Sequence, residues 1–251
     1  MTKYASPNVG FLLFGPYNLT AISDKLEMEM ADKLEDTTPF AVSAAQFERV
    51  GLKTYTLTGH DSWFDESSYT AASTMVALSD TQNVFMFAHE GNTNGQDCLA
   101  AGGVLSAGLK HPFAVGAFTR AQMELGVNGV IDNAAIVTAL AAVAGDGNTE
   151  ATYVDLGATG GGTTGCNVYL SCTALTLSGR TNLIVTLEDS ADHVTWADQT
   201  VMTALTAVGA EKKASTDQTI NRYVAAKRAF TGAGGSPTAT FVLAVKVNNP
   251  S

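Results

Sequence analysis

Residues and motifs that usually mark an active site are scarce in this sequence. Its 251 residues include three cysteines and four histidines. None of these has the spacing of a metal-binding pair, and the odd number of cysteines (Cys98, Cys166 and Cys172) predicts reduced, partly buried thiols. A Gly-x-Ser-x-Gly motif is absent, and Cys98 has no evident partner base. We therefore expect a protein that is not an enzyme, with no catalytic residue, no metal and no cofactor.

Long apolar runs are also absent. No run approaches the roughly 20 residues that a membrane-spanning helix needs, and the amino terminus has no basic region followed by an apolar core. We therefore expect no membrane span and no secretory signal, and a protein that stays in the cytosol where it is made or inside an assembly.

Positive charge is scarce in the first part of the chain. Residues 1–150 contain 7 Lys and Arg against 17 Asp and Glu, a net charge of −10, whereas residues 151–251 contain 7 of each. An acidic surface repels phosphates, which disfavours specific DNA binding but suits a channel through which DNA slides. We interpret the basic pairs Lys212-Lys213 and Lys227-Arg228 as rim contacts to an acidic neighbouring subunit.

The chain is organised around Ser23–Gly59, where an acidic run precedes a small-residue segment and a Thr-rich segment. Apolar and acidic residues alternate from Leu26 to Met30, which predicts a strand with one apolar and one anionic face. Apolar residues also recur at every fourth position from Leu26 to Leu34, so a helix is the alternative. We favour the strand, followed by an arm over Thr37–Val50 and a return strand that ends near Gly59.

The rest of the first part reads as short strands and one helix. Helical spacing of apolar residues, with Asp65 or Ser67 as a possible cap, predicts the helix over Ser67–Ser79. Ile131–Ala144 is Ala-rich and fits either a helix or a strand. The predicted strands are Gly10–Thr20 (a short strand broken by a turn), Asn83–His89, Leu99–Lys110 and Arg120–Val127.

The second part has the short alternating runs of an all-β sandwich, and we place the boundary at Gly145–Asn148, giving domains 1–148 and 149–251. Trp196 is expected to anchor its core. Gly160–Gly165 matches a dinucleotide-binding pattern, but a strand rather than a helix follows it, so we interpret it as a hairpin loop. His193 beside Asp189 and Asp192 is weak evidence for a cation site, and a solvated turn is the better interpretation. The predicted strands are Thr152–Leu156, Asn167–Leu177, Asn182–Glu188, Thr195–Met202, Ile220–Phe230 and Thr238–Val247.

The first three-fifths of the chain contains a series of motifs in a fixed order. They are the acidic strand ending in Asp36-Thr37-Thr38, the spaced aromatics Phe40 and Phe47, the segment Gly51-Leu52-Lys53 with Leu57-Thr58-Gly59, the following Trp63-Phe64-Asp65, then Glu90–Thr93, Val127–Asn133 and the Ala-rich step near Ala144. In these motifs the chain resembles the major tail tube proteins of long-tailed phages. The second part resembles the β-sandwich domains found on the outer faces of phage tubes.

The resemblance implies a mainly β fold: a tail-tube-type β-sandwich or barrel with one flanking helix, followed by a second, outward-facing all-β sandwich. It also implies six-fold rings that stack into a hollow tube, with tape measure, tail terminator and distal tail proteins as partners. The location would be the virion tail, after synthesis in the host cytoplasm, and DNA would pass in transit without specific binding.

Two sets of residues are candidates for assembly roles. The acidic strand would line the channel, and the arm is too apolar for a loop that stays in water, so it would bridge subunits or rings. The channel candidates are Asp24, Glu27, Glu29 and Asp32, and the arm candidates are Phe40, Val42 and Phe47. Alternative functions are a capsid decoration protein and a carbohydrate-binding module, for which Tyr169, Trp196 and Tyr223 are the available aromatics.

Overall fold

The described part of the chain is built from β-strands. The computed structural model describes residues 9–20, 27–31, 34–36, 47–49, 54–63, 83–110, 120–127, 130–157, 165–215 and 219–248. The first nine strands are β1 (Phe11–Phe14), β2 (Tyr17–Asn18), β3 (Glu27–Ala31), β4 (Leu34–Asp36), β5 (Phe47–Arg49), β6 (Thr54–Trp63), β7 (Asn83–Ala88), β8 (Asp97–Lys110) and β9 (Arg120–Val127). The others are β10 (Asp132–Ala144), β11 (Gly147–Asn148), β12 (Val154–Asp155), β13 (Cys166–Thr176), β14 (Asn182–Ser190), β15 (Ala197–Val201), β16 (Gly209–Ser215), β17 (Tyr223–Thr231) and β18 (Thr238–Val247).

These strands confirm the mainly β fold class. Within the described ranges the helical structure is a single 3-10 turn, Glu150–Thr152. The predicted helix Ser67–Ser79 lies outside the described residues. Ile131–Ala144, which fitted a helix or a strand, contains β10.

The chain forms two compact units: residues 1–21, 83–101 and 132–251 belong to the first, and residues 22–82 and 102–131 to the second. The first unit contains two sheets. One has the strand order β16-β13-β18-β10-β8-β7-β1-β2, and the other has the order β11-β17-β14-β15 with β12 also paired to β17. Apolar side chains from both sheets form one core, among them Leu170, Leu187, Val224 and Phe241. The first unit is therefore a two-layer β-sandwich.

A second core covers the opposite face of the larger sheet. Phe11, Met86, Ile136 and Tyr169 belong to it. Strand β18 contributes alternately to both cores, because its odd-numbered residues from 239 to 245 face the sandwich interior and Val242 and Ala244 face the second core. This two-sided burial explains why β18 is a nearly continuous apolar run.

The second unit contains the predicted hairpin. Strand β3 pairs antiparallel with β6, and Glu27 lies opposite Thr58 while Glu29 lies opposite Thr56. Strands β4 and β5, which lie between β3 and β6 in the sequence, form a further antiparallel pair with Asp36 opposite Phe47. The sheet continues from β6 to β9 and then to β8. The strand prediction is thus confirmed over Glu27–Ala31, where the helical alternative is wrong.

The compact units do not follow the predicted boundary at residues 145–148. Strand β10, before that boundary, pairs with β18 near the end of the chain, from Ala135 opposite Val245 to Ala144 opposite Thr238. Because β10 lies between β8 and β18 in one sheet, its pairing interlocks the two predicted domains. The division into 1–148 and 149–251 remains a prediction about assembly roles.

Candidate functional site

The structure describes some of the predicted assembly residues. Glu27 and Glu29 lie in β3, two residues apart, and Phe47 begins β5. The remaining candidates, Asp24, Asp32, Phe40 and Val42, lie outside the described residues. A separation of two in a strand puts positions 27 and 29 on the same face, as the acidic alternation predicted. The backbone therefore supports the predicted strand over Glu27–Ala31, and within the predicted arm it describes Phe47–Arg49 as the short strand β5.

The four basic residues expected at a subunit rim make contacts within the chain. Lys213 Nζ donates to the Val201 carbonyl at 2.6 Å, and Lys212 Nζ lies 5.4 Å from the centroid of the Tyr169 ring. Arg228 Nε donates to the Gly145 carbonyl at 3.0 Å. These contacts hold strand edges together, so the sequence interpretation of Lys212, Lys213 and Arg228 missed their partners.

Lys227 lies between two carboxylates of adjacent strands. Its Nζ is 3.3 Å from Oε1 of Glu188 in β14 and 2.9 Å from Oδ1 of Asp198 in β15. Glu188 is 4% exposed, and desolvation by burial raises its pKa, while the hydrogen bond from Lys227 acts in the opposite direction. The same lysine lowers the pKa of Asp198, which is largely in solvent. One ammonium group therefore serves a buried and an exposed carboxyl group at the edge of the smaller sheet.

An aromatic cluster lies where β14 turns into β15. The ring of Tyr153 stacks on His193 at 5.3 Å and contacts the edge of Tyr223 at 5.1 Å. Trp196 is half-buried and packs against Tyr153 at 6.2 Å. The prediction that Trp196 anchors the core is wrong, because its partners are these surface rings and not the apolar side chains between the sheets. The spacing of the rings is that of direct aromatic contacts.

The turn beneath this cluster is held by its own hydrogen bonds. Asp192 Oδ1 accepts from the backbone N–H groups of Val194 at 3.0 Å and Thr195 at 2.8 Å. These bonds, with that of Thr195 the strongest influence, lower the pKa of Asp192 to about 2. Asp189 is buried and accepts from Gln199 Nε2 at 2.8 Å and from the Asn221 N–H at 2.6 Å. Both carboxylates are thus engaged with protein donors, which favours the turn over the cation site.

A second ion pair borders the aromatic cluster. Arg222 donates to Asp155 through Nε at 2.7 Å and Nη2 at 2.6 Å. This bidentate contact is the main reason why the pKa of Asp155 falls to about 2. The Arg222 guanidinium also lies 5.2 Å from the centroid of the Tyr223 ring. These contacts join β12 to β17 at this end of the sandwich.

Tyr169 is buried and cannot present its ring to a sugar in this fold. Its hydroxyl donates to Asp132 Oδ2 at 2.5 Å, and the same oxygen accepts from Asn167 Nδ2 at 2.7 Å. Burial raises the pKa of the Tyr169 phenol, which therefore stays protonated. The three side chains link β10 to β13, two strands that are not adjacent in the sheet.

The described residues contain no group of three or more His, Cys, Asp or Glu arranged to hold a metal ion. Cys98, Cys166 and Cys172 are free and buried, as expected for reduced thiols. In the described ranges, no helix is long and apolar enough to span a membrane. Gly165 is followed directly by β13, so the predicted strand after the glycine-rich segment is confirmed.

No protein-family model and no curated protein matches this chain. Among solved structures, it matches a chain from the tail of an empty gene transfer agent particle with C6 symmetry (8% identity, TM-score 0.37, covering 49% of this chain and 94% of that one). It also matches a chain from the virion of a native gene transfer agent particle (9% identity, TM-score 0.38, covering 53% and 98%). A third match is the Dit protein of SPP1, described as a hub of the adsorption apparatus in phages that infect Gram-positive bacteria (9% identity, TM-score 0.35, covering 94% and 99%). TM-scores this low carry no argument about function.

Proposed function

We propose that this chain is a structural subunit of a phage-type tail, and that its copies assemble into stacked hexameric rings forming a hollow tube for DNA. The observation that carries the proposal is the antiparallel pairing of β3 with β6, extended by the β4–β5 pair toward the arm. The β3–β6 pair joins the strand and the return strand of the motif on which the resemblance to tail tube proteins depends.

The sheet of the second unit is suited to ring closure. Among the described strand pairs, β3 is joined to β6 only, so it stands at one end of the order β3-β6-β9-β8. An unpaired strand edge is a template for a strand from another copy, and head-to-tail contacts close into a ring when the rotation closes. Copies joined in this way would form a continuous barrel around a channel.

In this assembly the acidic face of β3 would line the channel. Glu27 and Glu29, with Asp24 and Asp32, would repel DNA phosphates so that the polymer passes without binding. The arm residues Phe40, Val42 and Phe47 would then dock on a neighbouring subunit or ring.

The proposed context is the virion tail, assembled from subunits made in the host cytoplasm. Tape measure, tail terminator and distal tail proteins would contact the two ends and the channel of such a tube. The first experiment is electron microscopy of the purified full-length protein beside sedimentation velocity. Rings or tubes support the proposal, whereas monodisperse particles at every concentration contradict it and favour a capsid decoration protein or a carbohydrate-binding module.

A matched pair of variants tests the arm. Burying one phenylalanine contributes roughly 1.5–3 kcal/mol, and this gain recurs at every contact of a repeating assembly. Phe40→Ala with Phe47→Ala should therefore give a folded subunit that assembles poorly, while the control Ser43→Ala with Gln46→Ala in the same arm should assemble normally. Circular dichroism reports folding and sedimentation reports assembly. Tubes of unchanged length from the phenylalanine variant would exclude the docking role, and an unfolded monomer would place the arm in the subunit's own core.

The channel role has a separate test. A cryo-electron microscopy reconstruction of the assembled form should place Glu27 and Glu29 on the inner wall. Carboxylates in salt bridges on the outer surface would contradict the channel role without affecting the assembly proposal.

A further inference from the structure

Glu188, Asp198 and Lys227 form the most unusual charged group among the described residues. Glu188 and Asp198 lie opposite each other on β14 and the edge strand β15, where the register shifts after Leu187. Lys227 comes from β17, on the other side of β14. Three strands thus contribute two carboxyl groups and one ammonium group to the same place.

The buried carboxyl group is incompletely satisfied. Glu188 Oε1 has Lys227 Nζ at 3.3 Å, but its Oε2 atom is buried and has no hydrogen-bond partner. A carboxylate oxygen in this state loses its hydration without replacement, which is costly for the charged form. Lys227 donates at the shorter distance of 2.9 Å to Asp198. The shorter ion pair is therefore the exposed Lys227–Asp198 pair, and Glu188 has the longer contact with the same ammonium group.

In the described part of the chain, the charged groups that act on Glu188 are these two partners and Glu150, which lies in the 3-10 turn against β17 and adds a further repulsion. Two negative groups and one positive group thus surround a buried carboxyl group. A single added proton would remove the unsatisfied charge while leaving the Lys227–Asp198 pair intact.

We propose that Glu188 and Asp198 act as a proton-binding carboxyl pair that fastens the edge strand β15 to β14 more tightly as the pH falls from neutral toward mild acidity. The proton comes from solvent and binds Glu188, and the resulting O–H group donates to the Asp198 carboxylate. Lys227 remains paired with Asp198. The added hydrogen bond joins β14 to β15 directly and replaces a buried charge by a neutral group.

The sign of the pH dependence follows from linkage. The pKa of Glu188 in the folded chain is raised above its ordinary value of 4.5, so the folded state binds a proton in a pH range where the unfolded state does not. The contribution of Glu188 to stability is full below pH 4.5 and is lost as the pH rises through its folded pKa. Asp198 acts oppositely, because its pKa is lowered from 3.8 and its contribution fades only in stronger acid. Between these limits the pair makes the fold more stable in mild acid than at neutral pH.

Thermal unfolding of full-length variants tests the proposal at pH 7.5 and pH 5.0 at one protein concentration. Glu188→Gln mimics the protonated state, so it should melt about 2–4 °C above the wild type at the higher pH. At the lower pH the difference should shrink, because a larger fraction of the wild type then carries the proton on Glu188. The control Glu90→Gln removes the same charge at an exposed position and should follow the wild type. A Glu188→Gln variant that melts below the wild type at pH 7.5 would overturn the proposal, since the carboxylate would then be a net stabilising ion partner.

Hydrogen exchange at the edge strand gives a second, independent readout. After correction for intrinsic rates, the β15 amides of the wild type should exchange severalfold more slowly at pH 5.0 than at pH 7.5. Asp198→Asn removes the charged acceptor and should reduce this difference while leaving β18 unchanged. Equal pH effects in the wild type and in Asp198→Asn would also overturn the proposal, and this measurement does not need the Glu188 variant to fold.

Discussion

Replacing Tyr169 by Phe removes one hydroxyl group from the interior of the first unit and leaves its ring in place. Tyr169 belongs to β13 and has no solvent exposure. Its hydroxyl donates to Asp132 Oδ2 at 2.5 Å, across a pair of strands separated in the sheet by β18. The substitution therefore tests whether this single contact stabilises the arrangement of β10 and β13 beyond the packing of the aromatic ring.

The magnitude can be worked from the contacts. A hydrogen bond to a charged group contributes about 1.5–3 kcal/mol. Asn167 Nδ2 remains at 2.7 Å from the same oxygen, so Asp132 keeps a donor and the loss should lie near the lower end of that range. For a chain of this size, about 1.5 kcal/mol corresponds to a melting temperature lower by about 3–6 °C. Tyr169→Ala removes the ring as well, and its loss should approach the roughly 3–5 kcal/mol of aromatic-to-alanine core substitutions.

Urea unfolding followed by circular dichroism measures both losses, and the half-buried Tyr17→Phe is the control for removing a tyrosine hydroxyl. A double-mutant cycle with Asp132→Asn isolates the pair, and we expect a coupling of about 1 kcal/mol. The reasoning fails if Tyr169→Phe unfolds at the same urea concentration as the wild type, or if the losses in unfolding free energy of the two single substitutions simply add in the double variant. In either case the short contact would contribute nothing beyond the packing of the ring.

Four further outcomes follow from the described contacts. A chain ending after Asn148 keeps β8 but lacks β18, the partner on the other side of β10, and should be insoluble or unfolded. A fragment that is soluble and folded by circular dichroism would contradict this and support the predicted boundary. Asp189→Ala leaves two partly buried donors, Gln199 Nε2 and the Asn221 N–H, without their acceptor. It should lower the free energy of unfolding in urea by about 1 kcal/mol, and a loss within error would contradict this. The pKa of Asp192 is lowered from 3.8 to about 2, so its contribution to the stability of the turn is present above pH 3.8 and is lost as the pH falls through 2. Asp192→Ala should therefore flatten the change in tryptophan fluorescence over that pH range, and an unchanged profile would refute this. The three cysteine thiols are buried, and burial raises the pKa of Cys98 to about 12 and that of Cys172 to about 11. They should resist a thiol reagent in the native chain and react in denaturant, and reaction in the native chain would contradict their burial.

Strands whose sequence alternates or is continuously apolar could be predicted, because burial on one face requires apolar residues at every second position and burial on both faces requires a continuous apolar run. The bounds of β9 and β18 agree with the prediction, and Phe11–Phe14 forms a fully buried strand. The hairpin could be predicted because the acidic alternation and the Thr-rich return segment agree. In these places local pattern and tertiary contacts require the same structure.

Other features depend on contacts that no local pattern contains. Strand β16 is Gly-Ala-Glu-Lys-Lys-Ala-Ser, which has charges where a strand usually has apolar residues, and it forms by pairing with β13 at the sheet edge. Edge strands commonly carry lysine because charge discourages pairing with other chains. The strand pattern predicts Trp196 as a core anchor, but its ring packs against Tyr153 from a distant segment. The position of such residues is set by the order of strands in the sheets, which single-sequence patterns do not determine.

The interlocking of β10 with β18 changes how the charge of the chain should be interpreted. The second unit, residues 22–82 and 102–131, contains 6 Lys and Arg against 12 Asp and Glu. It therefore carries −6 of the formal net charge of −10. The first unit is much longer and holds 8 basic against 12 acidic residues, or −4. Negative charge is therefore denser in the unit that contains the β3–β6 hairpin, even though the predicted boundary divided the chain elsewhere. A channel-lining role depends on the charge near β3 and not on where the chain divides, so this argument for the acidic hairpin stands independently of the predicted domain boundary.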